Sequence, residues 1–139
     1  MDVLQGEYNL LNRTAETEYF PYTTENNISF VPYFPFASGL LAGKYDKNTT
    51  FEDGRAKAPN FQGETFLRNL EKVEKVRKIA NNKNVEVAHV VLAWYLTRDA
   101  IDVVIPGAKR ANQVLNNLQT LNVELTTEEM NEIDNIFKS

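Results

Sequence analysis

Residues 101–121 constrain the fold of this chain more than any other stretch. A β-branched run ending at Val104-Ile105 passes through Pro106-Gly107 and two adjacent cations, Lys109 and Arg110. It continues without a linker into residues with Ala111, Val114, Leu115, Leu118 and Leu121 on one helical face. The order gathers cationic side chains and free backbone N–H groups at one helix N-terminus, the physical basis of a phosphate site.

The rest of the chain repeats this strand–helix alternation. Residues 2–8 form a short strand candidate, and residues 15–26 can hold a helix that Pro21 confines or interrupts. Residues 28–33 give a second strand, with Pro32 marking its end, followed by a loop over 35–45 in which Gly39 and Gly43 allow close backbone approach. Residues 46–63 form a long polar loop, a length usually reserved for lids and binding loops. Phe66, Leu70, Val73, Val76 and Ala80 then recur at helical spacing, predicting a helix over 65–81. Asn84 can cap a second, well-buried helix over 85–97, and residues 101–105 make the third strand. Thr126-Thr127-Glu128-Glu129 opens a closing helix through a capping box, with Met130, Ile133 and Phe137 on one face. The pairs Asn26-Asn27 and Asn81-Asn82 read as helix ends. Such alternation implies an α/β fold with a parallel sheet.

Composition narrows the function classes. An apolar fraction of 42% with 24% charged residues is that of a folded domain. A net charge of −4 gives no general attraction to nucleic acid or anionic lipid, so an anion site must be local. Without cysteine there is no disulfide, thiolate nucleophile or zinc–thiolate site. No apolar run reaches membrane-spanning length and Met1-Asp2-Val3-Leu4 lacks a basic leader start, so a cytoplasmic location is the default. The single histidine, His89, falls inside the apolar helix and reads as structural, and Asp99 and Asp102 read as caps rather than a catalytic pair.

Three segments together resemble consecutive elements of the aldo-keto reductase family, over essentially the whole chain. Gln5-Gly6-Glu7-Tyr8-Asn9-Leu10-Leu11-Asn12-Arg13 resembles the family's sixth barrel strand and the loop after it. Tyr33-Phe34-Pro35-Phe36-Ala37-Ser38-Gly39-Leu40-Leu41-Ala42-Gly43-Lys44-Tyr45 is similar to the end of the seventh, departing at Phe36, where many relatives carry Leu. Ile105-Pro106-Gly107-Ala108-Lys109-Arg110 through Asn117 resembles the eighth strand and its helix start. The resemblance implies the C-terminal part of a (β/α)8 TIM barrel: about three parallel strands with flanking helices, an incomplete barrel, and residues 1–139 as a single partial domain. A complete barrel typically takes about 250 residues.

The resemblance also implies a cofactor grip for NADP. Gln5 would pair with the nicotinamide carboxamide, Tyr33 would stack on the ring, and the segment Phe34, Pro35, Phe36, Ala37, Ser38 would follow the cofactor. Backbone at Gly107, Ala108 and Lys109 would hold the adenosine-side phosphate, and Lys109 with Arg110 would favour a 2′-phosphate. Gln113 and Asn117, four apart on one helix face, would reach the adenine. Arg55 resembles an arginine that helps close the long loop over the cofactor. The family's catalytic Tyr, Lys, His and Asp lie on earlier strands that no position here matches, so no catalytic residue and no metal ligand is expected in this chain. General acid catalysis is typically worth 10²–10⁴-fold, and the chain is therefore expected to bind cofactor but be inactive alone. Alternatives are a non-catalytic NADP-binding or interaction module, or one half of an enzyme complemented in trans. Open strand edges further predict self-association or pairing with a complementary N-terminal half-barrel.

Taken singly, each segment has a plainer reading. A lone Gln in a strand is usually structural, a Tyr before an apolar turn is usually packing, and Lys-Arg at a helix start is usually solvated. A bare cation pair there is opposed by the helix dipole unless an anion neutralises it. The order of the three segments, each at a strand's carboxyl end, is what carries the functional reading.

Overall fold

The computed structural model describes residues 3–101 and 123–138. Two five-residue strands, β1 (Val3–Glu7) and β2 (Ser29–Tyr33), pair in parallel with Val3 opposite Ser29 and Glu7 opposite Tyr33. Ile101 makes a parallel bridge to Phe30, so the predicted third strand begins beside β2 on the edge away from β1. Residues 102–105 of that strand and the helix after it lie outside the described residues, with Gly107, Ala108, Lys109, Arg110, Gln113 and Asn117. The α/β alternation with a parallel sheet stands. The second strand ends at Tyr33 as expected, one residue after Pro32, which itself lies opposite Gly6.

The crossover between the strands is two short helices, α1 (Ala15–Glu18) and α2 (Phe20–Glu25). Pro21 lies in the first turn of α2, where its missing N–H costs no helical bond. Asn27, at φ 55°, ends α2: the Ile28 N–H returns to the Thr23 carbonyl at 2.8 Å, as in a Schellman turn. The helix predicted for 65–81 is α3 (Gly63–Asn82), which buries Phe66, Asn69, Val73, Val76, Ile79 and Ala80. It is followed by α4 (Val87–Leu96), buried at Val87 and continuously from His89 to Tyr95.

Asn84 does not start α4. It stands at φ 56° and finishes α3, with the Asn84 N–H bonded to the Asn81 carbonyl and the Val85 N–H to that of Ala80. The N-cap of α4 is Glu86, whose own N–H donates to His89 Nδ1 at 3.3 Å. His89 is thus a buried capping side chain, with Nε2 lying 3.7 Å from a Glu86 carboxylate oxygen. The last helix, α5 (Thr127–Ile136), opens with the predicted capping box: Thr126 Oγ1 accepts from the Glu129 N–H, and Glu129 Oε1 accepts from the Thr126 N–H. Lys83 fastens it to the end of α3 through Glu129, at 2.9 Å.

Aromatic rings fill the space between the sheet and α4. Tyr8 stacks on Trp94 at 5.7 Å and meets Phe20 edge-on at 4.9 Å, while Phe20 meets Phe30 at 5.0 Å. Gly6 is required by this packing, since a Cβ there would fall 2.9 Å from the Phe30 ring. Trp94 also anchors a polar knot. Asp134 Oδ1 accepts from Trp94 Nε1 at 3.2 Å, from Arg13 at 2.9 Å and from Arg98 at 2.8 Å. Both guanidinium groups lie against the Trp94 ring, at 5.1 and 4.3 Å. The carboxylate thereby joins α5 to α4 and to the loop after β1.

Candidate functional site

Side chains alternate across a strand, and the two faces of this sheet differ sharply. Gly6, Phe30 and Pro32 are buried against the helices, while Val3, Gln5 and Tyr33 are exposed on the other face. Gln5 lies opposite Val31, two positions before Tyr33, so Gln5 and Tyr33 share that open face on neighbouring strands. Adjacent strands run about 4.8 Å apart, close enough for both side chains to meet one flat ligand.

The chain then leaves β2 through an unusual turn. Phe34, Ala37 and Ser38 have φ of 56°, 50° and 59°, in the left-handed region. That conformation costs a residue with a Cβ about 1–2 kcal/mol, and Phe34 adds the restriction of preceding a proline. The segment is tethered from inside. The Asn9 side-chain amide donates to the Phe34 carbonyl at 3.2 Å, and the Ala37 N–H donates to the same oxygen at 2.9 Å. The Tyr95 hydroxyl faces the Pro35 carbonyl and, at 3.1 Å, the Tyr8 carbonyl. Pro35 and Ala37 are buried and Phe36 is half-buried, so these three can address a ligand only through backbone or edges. Phe34 and Ser38 are exposed, and the Tyr33 and Phe34 rings meet edge-on at 5.1 Å.

The long polar loop is more ordered than its composition suggests. It holds two 3-10 turns, Gly54–Lys57 and Pro59–Phe61, and Phe51, Phe61 and Tyr45 form an aromatic cluster over Phe66 of α3. Arg55 lies over the Phe51 ring at 4.8 Å, forks onto Asp53 with its nearest contact at 2.6 Å, and donates to the Tyr45 hydroxyl at 2.5 Å. Tyr45 in turn donates to the Ser38 carbonyl at 3.1 Å. Gly39, at φ 92°, permits this approach, because a Cβ there would lie 2.4 Å from the Tyr45 hydroxyl oxygen. Ser38 and Arg55 consequently border one shallow hollow with Asp53, Gly54 and Ala58.

Hydrogen bonds from the Arg55 side chain and backbone hold the Asp53 carboxyl down to about 2. A carboxyl lowered in the folded state keeps its stabilising contact above the ordinary carboxylate range and loses it only as pH falls through the lowered value. The Arg55–Asp53 contact is therefore expected to survive at pH 4 and to be lost near pH 2. Carbon-13 titration of the Asp53 carboxyl checks this, and a midpoint near 4 would mean that the contact does not persist in solution.

Tyr8 and Tyr95 are both pushed well above the usual tyrosine range, chiefly by burial and, for Tyr8, by its hydrogen bond to the Glu16 carboxylate. Both donate to acceptors inside the fold: Tyr8 to the Glu16 carboxylate, and Tyr95 to the Tyr8 and Pro35 carbonyls. These two hydroxyls are structural donors.

Of the residues expected to hold cofactor, the structure brings Gln5 and Tyr33 onto one face, and Phe34, Pro35, Phe36, Ala37 and Ser38 into one pinned turn beside Arg55. Sequence reasoning passed over Asn9, Tyr95, Tyr45 and Asp53, which set the shape of that turn and loop. It also passed over Lys44 and Arg77, which line a cleft of about 740 Å³ with Phe34, Ser38, Gly39 and Glu86. A Lys directly after Gly43 was the one local signal available.

Comparison with known proteins agrees with this architecture. Residues 1–138 match the model of the Aldo/keto reductase family. The chain is 40% identical over 111 residues to aldo-keto reductase yakc [NADP(+)] of Schizosaccharomyces pombe, covering 78% of this chain and 33% of that protein. It is 28% identical over 126 residues to the NADH-specific methylglyoxal reductase of Escherichia coli, covering 91% and 39%. The solved glycerol dehydrogenase of Gluconobacter oxydans superposes with a TM-score of 0.90 at 29% identity, over 96% of this chain and 41% of that one. The chain thus spans between a third and about two-fifths of the length of these relatives. With a strand-end turn, a tethered loop and a family match that runs from the first residue to the last but one, this chain belongs to the aldo/keto reductase family.

Proposed function

We propose that this chain is the cofactor-binding C-terminal part of an NADP-dependent aldo-keto reductase, a family partial domain over residues 1–139 built as an incomplete (β/α)8 barrel. The observation that carries the proposal is the shared open face of Gln5 and Tyr33, continuous with the Phe34–Pro35–Phe36–Ala37–Ser38 turn and with Arg55. On that face Gln5 would pair with the carboxamide of a nicotinamide and Tyr33 would cover one side of its ring. Arg55, which borders the hollow with Ser38, would supply a cation for the diphosphate. By the family resemblance Gly107, Ala108, Lys109, Arg110, Gln113 and Asn117 would complete the grip at the phosphate and adenine. The nicotinamide supplies the hydride when bound; the protein supplies its orientation.

Reduction of the carbonyl also needs a proton donor at the developing alkoxide, and no position of these 139 residues matches the family's Tyr, Lys, His and Asp set. The chain by itself is therefore proposed to bind NADPH without turning over aldehydes or ketones, in a cytoplasmic setting. Calorimetry or NADPH fluorescence on the folded chain tests this directly. Micromolar binding with no carbonyl-dependent oxidation of NADPH is the expected result. A well-folded chain that binds neither NADPH nor NADH would end the cofactor reading, and turnover by the chain alone would end the claim of inactivity.

A second reading is complementation in trans by a segment that carries the missing acid. It is favoured by the apolar exposure of the open face, where Val3 is 57% and Tyr33 46% accessible. Co-expression with an N-terminal half-barrel should then restore turnover, and failure of the two pieces to associate would dismiss it.

A further inference from the structure

We infer that Asn9 and Tyr95 are positioning residues of the cofactor site, acting together as a clamp that holds the turn after β2 in its left-handed shape. The inference rests on the proposed cofactor reading for its purpose and on geometry for its substance. Three residues with Cβ atoms at positive φ, at 34, 37 and 38, do not persist in a turn of that length unless the surroundings over-determine them. Two buried donors supply that constraint, and they fall on consecutive carbonyls.

Asn9 is 3% exposed and its two polar ends face different ways. Its amide group donates to the Phe34 carbonyl at 3.2 Å, while its Oδ1 accepts from the Leu11 N–H at 2.9 Å. The side chain is therefore a strut between the loop after β1 and the turn after β2. Tyr95 is fully buried on α4, and its one hydroxyl proton is shared between the Pro35 and Tyr8 carbonyls. It spans the same two segments from below. Because the bonds capture carbonyl oxygens of the turn, they also set the orientation of the peptide planes that follow them. Neither side chain lies on the open face with Gln5 and Tyr33, so neither is assigned a ligand contact.

Satisfying Phe34 and Pro35 from inside does more than remove two orphan carbonyls. A peptide plane whose oxygen is held against the core must present its other edge away from it. The clamp thereby determines how the turn faces an incoming diphosphate, and it couples the strand that carries Gln5 to the one that carries Tyr33. Loss of either donor should leave the strands in place and release the turn.

The experiment compares Tyr95→Phe and Asn9→Ala with Ile133→Val, a core change on α5 chosen to lower melting temperature without touching the clamp. Amide hydrogen exchange at Ala37 and Leu41, whose N–H groups close the turn onto Phe34 and Phe36, is read without cofactor, and NADPH affinity is read separately. Expected are exchange at those amides about tenfold faster or more in both clamp variants, with NADPH binding weakened about tenfold. Ile133→Val should change neither. Asn9→Ser offers a smaller change should Asn9→Ala fail to fold, and it too should speed exchange. Unaltered exchange in folded Tyr95→Phe and in the Asn9 variant would overturn the clamp, as would equal acceleration in Ile133→Val. A wild-type chain that does not bind NADPH would overturn the cofactor reading alone, while the exchange rates would still decide the clamp.

Discussion

Replacing Trp94 by alanine should cost about 3–5 kcal/mol of folding free energy, the range seen when a large aromatic leaves a well-packed core. Typical domains hold only about 5–15 kcal/mol, so the variant would be largely unfolded at modest denaturant. The loss has three sources. Trp94 is fully buried and stacks on Tyr8. Its indole N–H is one of three donors on Asp134 Oδ1. Its ring also supports the two guanidinium groups that complete the knot. Trp94→Phe keeps an aromatic surface but forfeits the N–H, and should fall between wild type and Trp94→Ala. Urea unfolding followed by circular dichroism is the suitable measurement, because Trp94 is the only tryptophan and its fluorescence disappears with the substitution. A loss below about 1 kcal/mol, well short of the range for such a deletion, would mean that the ring is not the hub described above.

The second large effect concerns cofactor choice. Lys109→Ala combined with Arg110→Ala should weaken NADPH binding about a hundredfold and leave NADH little changed. Each charge-assisted hydrogen bond is worth about 1.5–3 kcal/mol, tenfold or more in affinity, and only the 2′-phosphate distinguishes the two cofactors. The relatives named above make the question open, since one carries NADP(+) in its name and another is named NADH-specific. Titration of both cofactors against wild type and double variant gives the answer. Equal losses for NADPH and NADH would remove those two cations from the 2′-phosphate and place them on a group common to both molecules.

Much of the fold could be read from local patterns, and the exceptions share a cause. The capping box at Thr126 and Glu129, the amphipathic face of α3 and the break at Pro21 all depend on residues a few positions apart. Asn84 was misread because an Asn serves equally as the start of one helix and the left-handed end of another, and only backbone geometry separates the two. The end of β2 beside Pro32 was legible, but its register against a partner strand 26 residues away was not. The candidate site divides in the same manner. Gln5, Tyr33 and the turn after it were visible as motifs. The Tyr95 hydroxyl reaches a carbonyl 87 residues earlier and Asn9 one 25 residues later, and neither pairing leaves a periodic trace. Arg55 was visible, but its Asp53 and Tyr45 partners emerged only once the loop was folded.

The polar knot around Asp134 has a kinetic side. Arg13 and Asp134 are 121 residues apart along the chain, yet they share a hydrogen bond of 2.9 Å. Closing so long a loop is entropically unfavourable before any reward is collected, and contacts of this range slow folding more than they alter stability. Until α5 docks, Arg13 keeps Glu16 at 2.8 Å, but neither guanidinium group beside Trp94 has Asp134. The strand–helix unit that carries Gln5 and Tyr33 is built from contacts 26 residues apart, whereas the seal at Asp134 requires the C-terminal helix to return across almost the whole chain.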